Sequence, residues 1–246
     1  MSFSTDRHPA PPQPPAPWGI LATIAWVLVS FLVSVFAASG FYSAWLGGSA
    51  PRGVGYDGVA IAIGTLASVP AQIAVLGFAA QLRKWEPARY LGLNVPKRGE
   101  IVFAVLCVVA INVAFDLLLY VSGRDVVPPF QVEAYQTAKD AGWLVQLTLA
   151  IVFVAPLGEE VVFRGFLYRG LVRPGYEMAA IAMIALAWAL LHIQYDWLGM
   201  VQIFSVGLLF GWFRWAGGST TLTFVMHVLI NTQAMIETAI KMEWLS

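Results

Sequence analysis

The sequence predicts an all-α fold, a polytopic transmembrane helical bundle of about seven spans. Three observations predict it. First, 59% of the 246 residues are hydrophobic and 11% are charged, whereas an ordinary soluble domain is about 45–50% apolar and about 25% charged. Too little charge remains to solvate a globular surface, which excludes a soluble globular protein, a disordered chain and a nucleic-acid binder with a basic face. Second, apolar stretches of about 20 residues recur, the length that crosses about 30 Å of hydrocarbon. Third, no repeat period of roughly 20–50 residues is visible, which argues against a solenoid or an inverted repeat. The 14 Lys+Arg balance 14 Asp+Glu, so no net field steers charged partners. The single cysteine, Cys107, allows no internal disulfide and no cysteine-based zinc site.

Residues 1–17 read as an exposed, proline-rich tail: Pro9, Pro11, Pro12, Pro14, Pro15 and Pro17 interrupt any helix or strand. The order of a secretory signal is missing, because the prolines precede a full-length apolar run. Residues 18–142 then carry three spans, Trp18–Ala38, Val59–Ala80 and Ile101–Val121. Residues 143–240 carry four more: Trp143 to about Leu171, Met178 to about Tyr195, Trp197–Trp215 and Thr220–Ile240. With the N-terminus inside, the inner face collects nine basic residues, Arg7, Arg83, Lys84, Arg89, Lys97, Arg98, Arg169, Arg173 and Arg214. The outer face collects four, Arg52, Arg124, Lys139 and Lys241, and this asymmetry predicts N-in topology. Gly207 and Gly211 form a small-xxx-small pattern suited to close helix packing. The Trp residues fall mostly near span ends, as in an aromatic belt.

Ionisable residues inside a span cost several kcal/mol unless paired or wet, so each is a functional candidate. The set is Asp116, Glu159, Glu160, Arg164, His192, His227 and Glu237, with Asn112 and Asn231 as polar companions. Glu160 and Arg164 stand four apart with the acid first, the favourable order for a helical ion pair. Glu159 points about 100° away and has Phe163 as its i+4 neighbour, which leaves its carboxylate free for general acid or base work. A purely structural cluster of the three charges is the competing reading. Pro156 removes a backbone hydrogen bond beside the pair and predicts a kink. His227 and Asn231, four apart, share a face of the last span. At about 1.5 Å per residue, Glu159, His192 and Asn231 lie roughly 18–21 Å from the inner helix ends and His227 about 12 Å. Polar groups gathered in one slab of the bilayer predict a water-filled cavity within the membrane. Asp116 suits an interhelical hydrogen bond, and Glu237 is expected at the outer interface.

Glu159-Glu160-x-x-x-Arg164, an aromatic-x-x-x-His from Trp188 to His192, and His227-x-x-x-Asn231 resemble the motifs of the CPBP family. That is the Rce1-type CAAX-protease and bacteriocin-processing family of intramembrane proteases, also called Abi. The resemblance covers about residues 143–240. One departure is Trp188, where the family usually has Phe. The resemblance implies hydrolysis of a peptide bond of a membrane-associated protein or peptide. Glu159 and His192 would hold and activate a water, His227 and Asn231 would polarise the scissile carbonyl, and Glu160 and Arg164 would support the helix. A metal, if present, would be held by Glu159, His192 and His227; two histidines and a carboxylate suffice for zinc with an open position, although no His-Glu-x-x-His helix is present. The expected setting is a multi-pass protein of a prokaryotic cytoplasmic membrane, with the lipid bilayer and a membrane-bound substrate as partners, no nucleic acid, and an open oligomeric state. Two rival readings are a non-catalytic binding or immunity protein that keeps the cavity, and a proton-coupled transporter. The latter lacks the paired broken helices of such carriers.

Overall fold

The computed structural model describes residues 15–45 and 56–245, which form nine helices and no strand. Arg7, Arg52 and the first fourteen residues, with most of the proline-rich segment, lie outside the described residues. In chain order the helices are α1 (Ile20–Trp45), α2 (Gly58–Leu82), α3 (Pro87–Leu91), α4 (Arg98–Val121), α5 (Pro129–Asp140), α6 (Leu144–Leu171), α7 (Glu177–Leu190), α8 (Trp197–Gly217) and α9 (Thr220–Trp244).

Local chemistry sets several helix starts. The Asp57 carboxylate accepts from the Ala60 amide at 2.8 Å to open α2. Asp196 accepts from Gly199 at 2.8 Å to open α8, and Ser219 from Leu222 at 3.1 Å to open α9. Each satisfies an amide that the first helical turn leaves bare. Gly218, with φ 70°, ends α8 in the left-handed conformation and lets α9 begin two residues later.

Five helices, α1, α2, α4, α6 and α8, are long and apolar enough to cross a membrane. Their outward faces carry bare apolar side chains such as Leu21 (83% exposed) and Phe36 (69%), as lipid-facing surfaces do. The chain is an integral membrane protein. The other two expected spans differ in character. α7 has 14 residues, shorter than a span. α9 has 25 residues but is interrupted by Thr, Asn, Gln and Glu, and its polar side chains turn inward, as the next subsection describes. The sequence did not predict α5, a 12-residue helix of mixed composition packed against α2, α6 and α9.

α1 lies along α2, and α7 lies along α8. Glycines set the second approach and also bring α6 against α1. A Cβ at Gly170 of α6 would sit 2.0 Å from Thr23 Oγ1 of α1. A Cβ at Gly211 would sit 2.4 Å from Ile181 Cγ2, and one at Gly207 2.9 Å from the Ala185 Cβ. Gly207 and Gly211 therefore work as close-packing positions between helices of the same chain, as their spacing predicted.

α6 runs through the centre and is not a uniform α-helix. Its backbone widens to π geometry over Ala150–Val154 and again over Val161–Leu167, turns that often mark functional sites. The first widening ends two residues before Pro156. In π register the Ala155 amide bonds to the Ala150 carbonyl. The next carbonyl, of Ile151, would look to residue 156, which is proline and has no N–H to offer. Asn231 Nδ2 of α9 donates to that carbonyl instead, at 2.8 Å.

The end of the bundle that bears the basic loop is tied down by arginines. Arg83 donates to the Ala16 carbonyl through Nε and Nη2 at 3.1 and 2.9 Å, and Trp85 Nε1 donates to Pro15 at 2.9 Å. The last residues of the proline-rich segment are thus fastened to the loop after α2. Arg169 of α6 donates to the Tyr90 and Arg89 carbonyls of α3 at 3.1 and 2.9 Å.

Candidate active site

The middle of α6 presents two neighbouring carboxylates to two environments. Glu160 is fully buried. Its Oε1 accepts from Arg164 Nη1 at 3.1 Å, the predicted i,i+4 pair, and from His227 Nδ1 at 3.0 Å. A carboxylate can only accept, so His227 Nδ1 carries the proton. Arg164 spreads over the face of Trp188 (4.5 Å to the ring centre) and of Phe210 (5.1 Å) and donates through Nη2 to the Gly207 carbonyl at 3.2 Å. A buried ion pair is tolerated when its members are held by further polar and ring contacts of this kind.

The Glu159 side chain is 30% exposed. Its Oε2 accepts from Trp188 Nε1 at 2.6 Å, a short charge-assisted bond. The same oxygen lies 4.0 Å from His192 Nε2 and 4.0 Å from His227 Nε2. His192, in the turn after α7, has Nδ1 2.9 Å from the Trp188 carbonyl, so that nitrogen donates and Nε2 is left to face Glu159. The two imidazoles flank the Trp188 indole edge-on, each with ring centres 5.3 Å away. Trp188 thereby orients both histidines and fixes Glu159. The sequence placed Trp188 in the aromatic-x-x-x-His motif; its ring stands at the centre of the site.

The polar groups border space. A cavity of about 440 Å³ is lined by His192, His227, Asn231, Asn112, Asp116 and Glu237, among others. A smaller pocket of about 280 Å³ is lined by Glu159, Trp188 and His192 together with Phe31 of α1 and Gln72 of α2. Trp188, His192 and Gln194 form the shared wall. At the mouth of the larger cavity Arg124 pairs with Asp196, and Lys241 reaches Asp125 at 3.4 Å.

Asp116 makes the interhelical hydrogen bond expected of it, accepting from Gln233 Nε2 of α9 at 2.8 Å. Glu237 departs from expectation. It accepts from the same Gln233 nitrogen at 2.7 Å and borders the cavity, because the inner face of α9 is polar along its length. Sequence reasoning missed Gln233 altogether; the available signal was its place two residues after Asn231 in a span.

Zinc fits this arrangement poorly. Among the described residues no group of three His, Cys, Asp or Glu is placed to hold a metal ion. Donors around a tetrahedral zinc stand about 3.4 Å apart, whereas the Glu159 oxygen stands 4.0 Å from each histidine nitrogen. That oxygen also already accepts from Trp188.

A carboxylate and two imidazoles thus converge beside the cavities of a helical membrane protein. The family model described as type II CAAX prenyl endopeptidase Rce1-like matches residues 141–233. Over that stretch the chain is similar to the Rce1-like family, as the motifs at Glu159, His192 and His227 led us to expect. The class of activity it supports is that of a CAAX-type membrane endopeptidase acting on membrane-associated substrates. No curated protein and no solved structure matches the chain.

Proposed function

We propose that the chain is a glutamate-dependent intramembrane endopeptidase whose catalytic core is residues 143–240. One observation carries this reading: Glu159 Oε2 stands 4.0 Å from the Nε2 of both His192 and His227. That separation is too long for a direct hydrogen bond and short enough for one water to bridge. The water would give its proton to Glu159 as it attacks the scissile carbonyl, while His192 Nε2 holds its second hydrogen. Trp188 Nε1 keeps the accepting carboxylate in place through this step.

Charge then develops on the carbonyl oxygen; as it collapses back to a carbonyl the C–N bond breaks and Glu159 returns its proton to the leaving amine. Protonated His227 would present Nε2–H to the carbonyl oxygen while Nδ1–H stays on Glu160, the arrangement by which a buried carboxylate orients an imidazole. Asn231 holds the Ile151 carbonyl with one N–H and has a second for the oxyanion. Glu160 and Arg164 support the site without touching substrate. The route asks nothing of a metal. N-in topology in a prokaryotic cytoplasmic membrane remains our reading from the basic residues of the loops.

The test compares membrane-protein termini by mass spectrometry in cells expressing the wild type or Glu159→Gln at matched folded level. Termini that appear only with the wild type are expected and would name the substrate. Identical termini would sink the peptidase and favour a protein that only binds.

A further inference from the structure

The larger cavity holds a second polar cluster that the proposed chemistry does not use. Gln233 Nε2 donates to Asp116 Oδ2 and Glu237 Oε1, while Gln233 Oε1 accepts from Asn112 Nδ2 at 3.0 Å. This chain of bonds settles every amide. The carboxylates only accept, so Gln233 turns its NH₂ to them. Its carbonyl then faces Asn112, which must answer with its own NH₂. Asn112 Oδ1 is left over: it has no partner, and the residue is 3% exposed.

Asn112, Asp116, Gln233 and Glu237 all line the cavity. With the amide hydrogens of Gln233 committed, the cluster offers the cavity acceptors, the remaining carboxylate oxygens, with the unpartnered Asn112 carbonyl buried beside them. No basic side chain among the described residues pairs with either carboxylate, since Arg124 is taken by Asp196 and Lys241 by Asp125. Two acids and a bare carbonyl inside a span are expensive to keep without a donor. A cation bearing several N–H groups would satisfy the carboxylates and match their charge.

We propose that Asp116, Glu237 and Asn112 form a subsite for an organic cation of the substrate, the guanidinium or ammonium of an Arg or Lys side chain. The proposal rests on the peptidase reading. It also sets a register. Gln233 and Glu237 follow His227 on α9 by about 9 and 15 Å of helix rise, and an extended peptide advances about 3.3 Å per residue. The basic residue therefore lies about three to four positions from the cleaved bond.

Binding is tested apart from turnover. Full-length Glu159→Gln protein in lipid nanodiscs is titrated with hexylguanidinium, hexylammonium and hexanol, with and without Asp116→Asn/Glu237→Gln. The cations are expected to bind at least tenfold tighter than hexanol, and the double substitution to erase that preference. Equal binding of cation and alcohol, or a preference that survives the double substitution, overturns the subsite. If the double variant does not fold, Asp116→Asn alone must weaken hexylguanidinium at least threefold, and no weakening overturns it. In the termini comparison, Arg or Lys should be enriched three to four positions from the cut, and the enrichment should vanish with the double substitution. Cuts at that distance from a free N-terminus instead would assign the cation to an α-amine, the same chemistry from another source. Glu159-dependent cleavage without any such enrichment refutes the subsite and leaves the peptidase standing. Cation binding without Glu159-dependent cleavage refutes the peptidase and leaves a cation site.

Discussion

Glu159 and Glu160 are neighbours in sequence and opposites in setting. Glu160 is sealed: Arg164 and His227 bond to it, two aromatic faces cover the Arg164 guanidinium, and no surface remains. Around Glu159 there is a pocket, one tryptophan donor, and two histidine nitrogens just beyond contact. The difference teaches how a helix within a membrane divides two acids between structure and chemistry. It closes one side with a partner four residues on, and leaves the other to be met by neighbouring helices. His227 joins the two regions, with Nδ1 on the sealed carboxylate and Nε2 towards the open one.

The sharpest way to break this contrast is to exchange the roles by substitution. Glu160→Ala leaves Arg164 buried without its carboxylate, and removing one partner of a buried pair costs about 3–5 kcal/mol. Loss of monodisperse folded protein in detergent is expected; a normal melting temperature would show that the sealed region is not structural. Glu159→Gln should melt like the wild type and lose about 10²–10⁴-fold in cleavage rate. A Glu159 variant that unfolds while the Glu160 variant folds would reverse the division.

Trp188→Phe sharpens the comparison further. It keeps a ring over Arg164 but deletes the N–H on Glu159, and hydrogen bonds to charged groups are worth about 1.5–3 kcal/mol. Cleavage should fall about ten- to a hundredfold with the melting temperature little changed. Unchanged cleavage would mean that the bond to Trp188 is dispensable. Asn231→Leu removes the donor from the Ile151 carbonyl, and leaving a buried acceptor bare costs about 1–3 kcal/mol; thermal unfolding is the measurement. Lys139→Gln, outside both regions, breaks an exposed contact to Glu243 and should leave melting and cleavage within error.

The lipid-spanning helices were legible because length and apolarity are local properties, and α1, α2, α4, α6 and α8 announce themselves that way. α5 was hidden because twelve residues of mixed composition resemble a loop. The π turns of α6 were hidden because no hydrophobic period survives in a helix that is apolar on nearly every side. At the candidate site, the Glu160–Arg164 pair followed from spacing alone. The convergence of Glu159, His192 and His227 followed from their depth. The bond from Trp188 to Glu159 could not be read, since an indole in an apolar helix looks the same whether it faces lipid or a carboxylate. Gln233 was missed for a related reason: one amide carries no weight until the acids of another helix stand beside it.

The proline at 156 reaches beyond the geometry of its own helix. A carbonyl left bare away from water costs several kcal/mol, and the donor that fills the one at Ile151 sits on α9. α6 is therefore inserted before the group that completes it has been synthesised. Its central turns stay unfinished until α9 arrives, and the same helix brings His227. Assembly order thus becomes a safeguard: the proposed hydrolytic centre cannot form on a partly made chain, and a nascent protein carries no peptidase until α9 has docked.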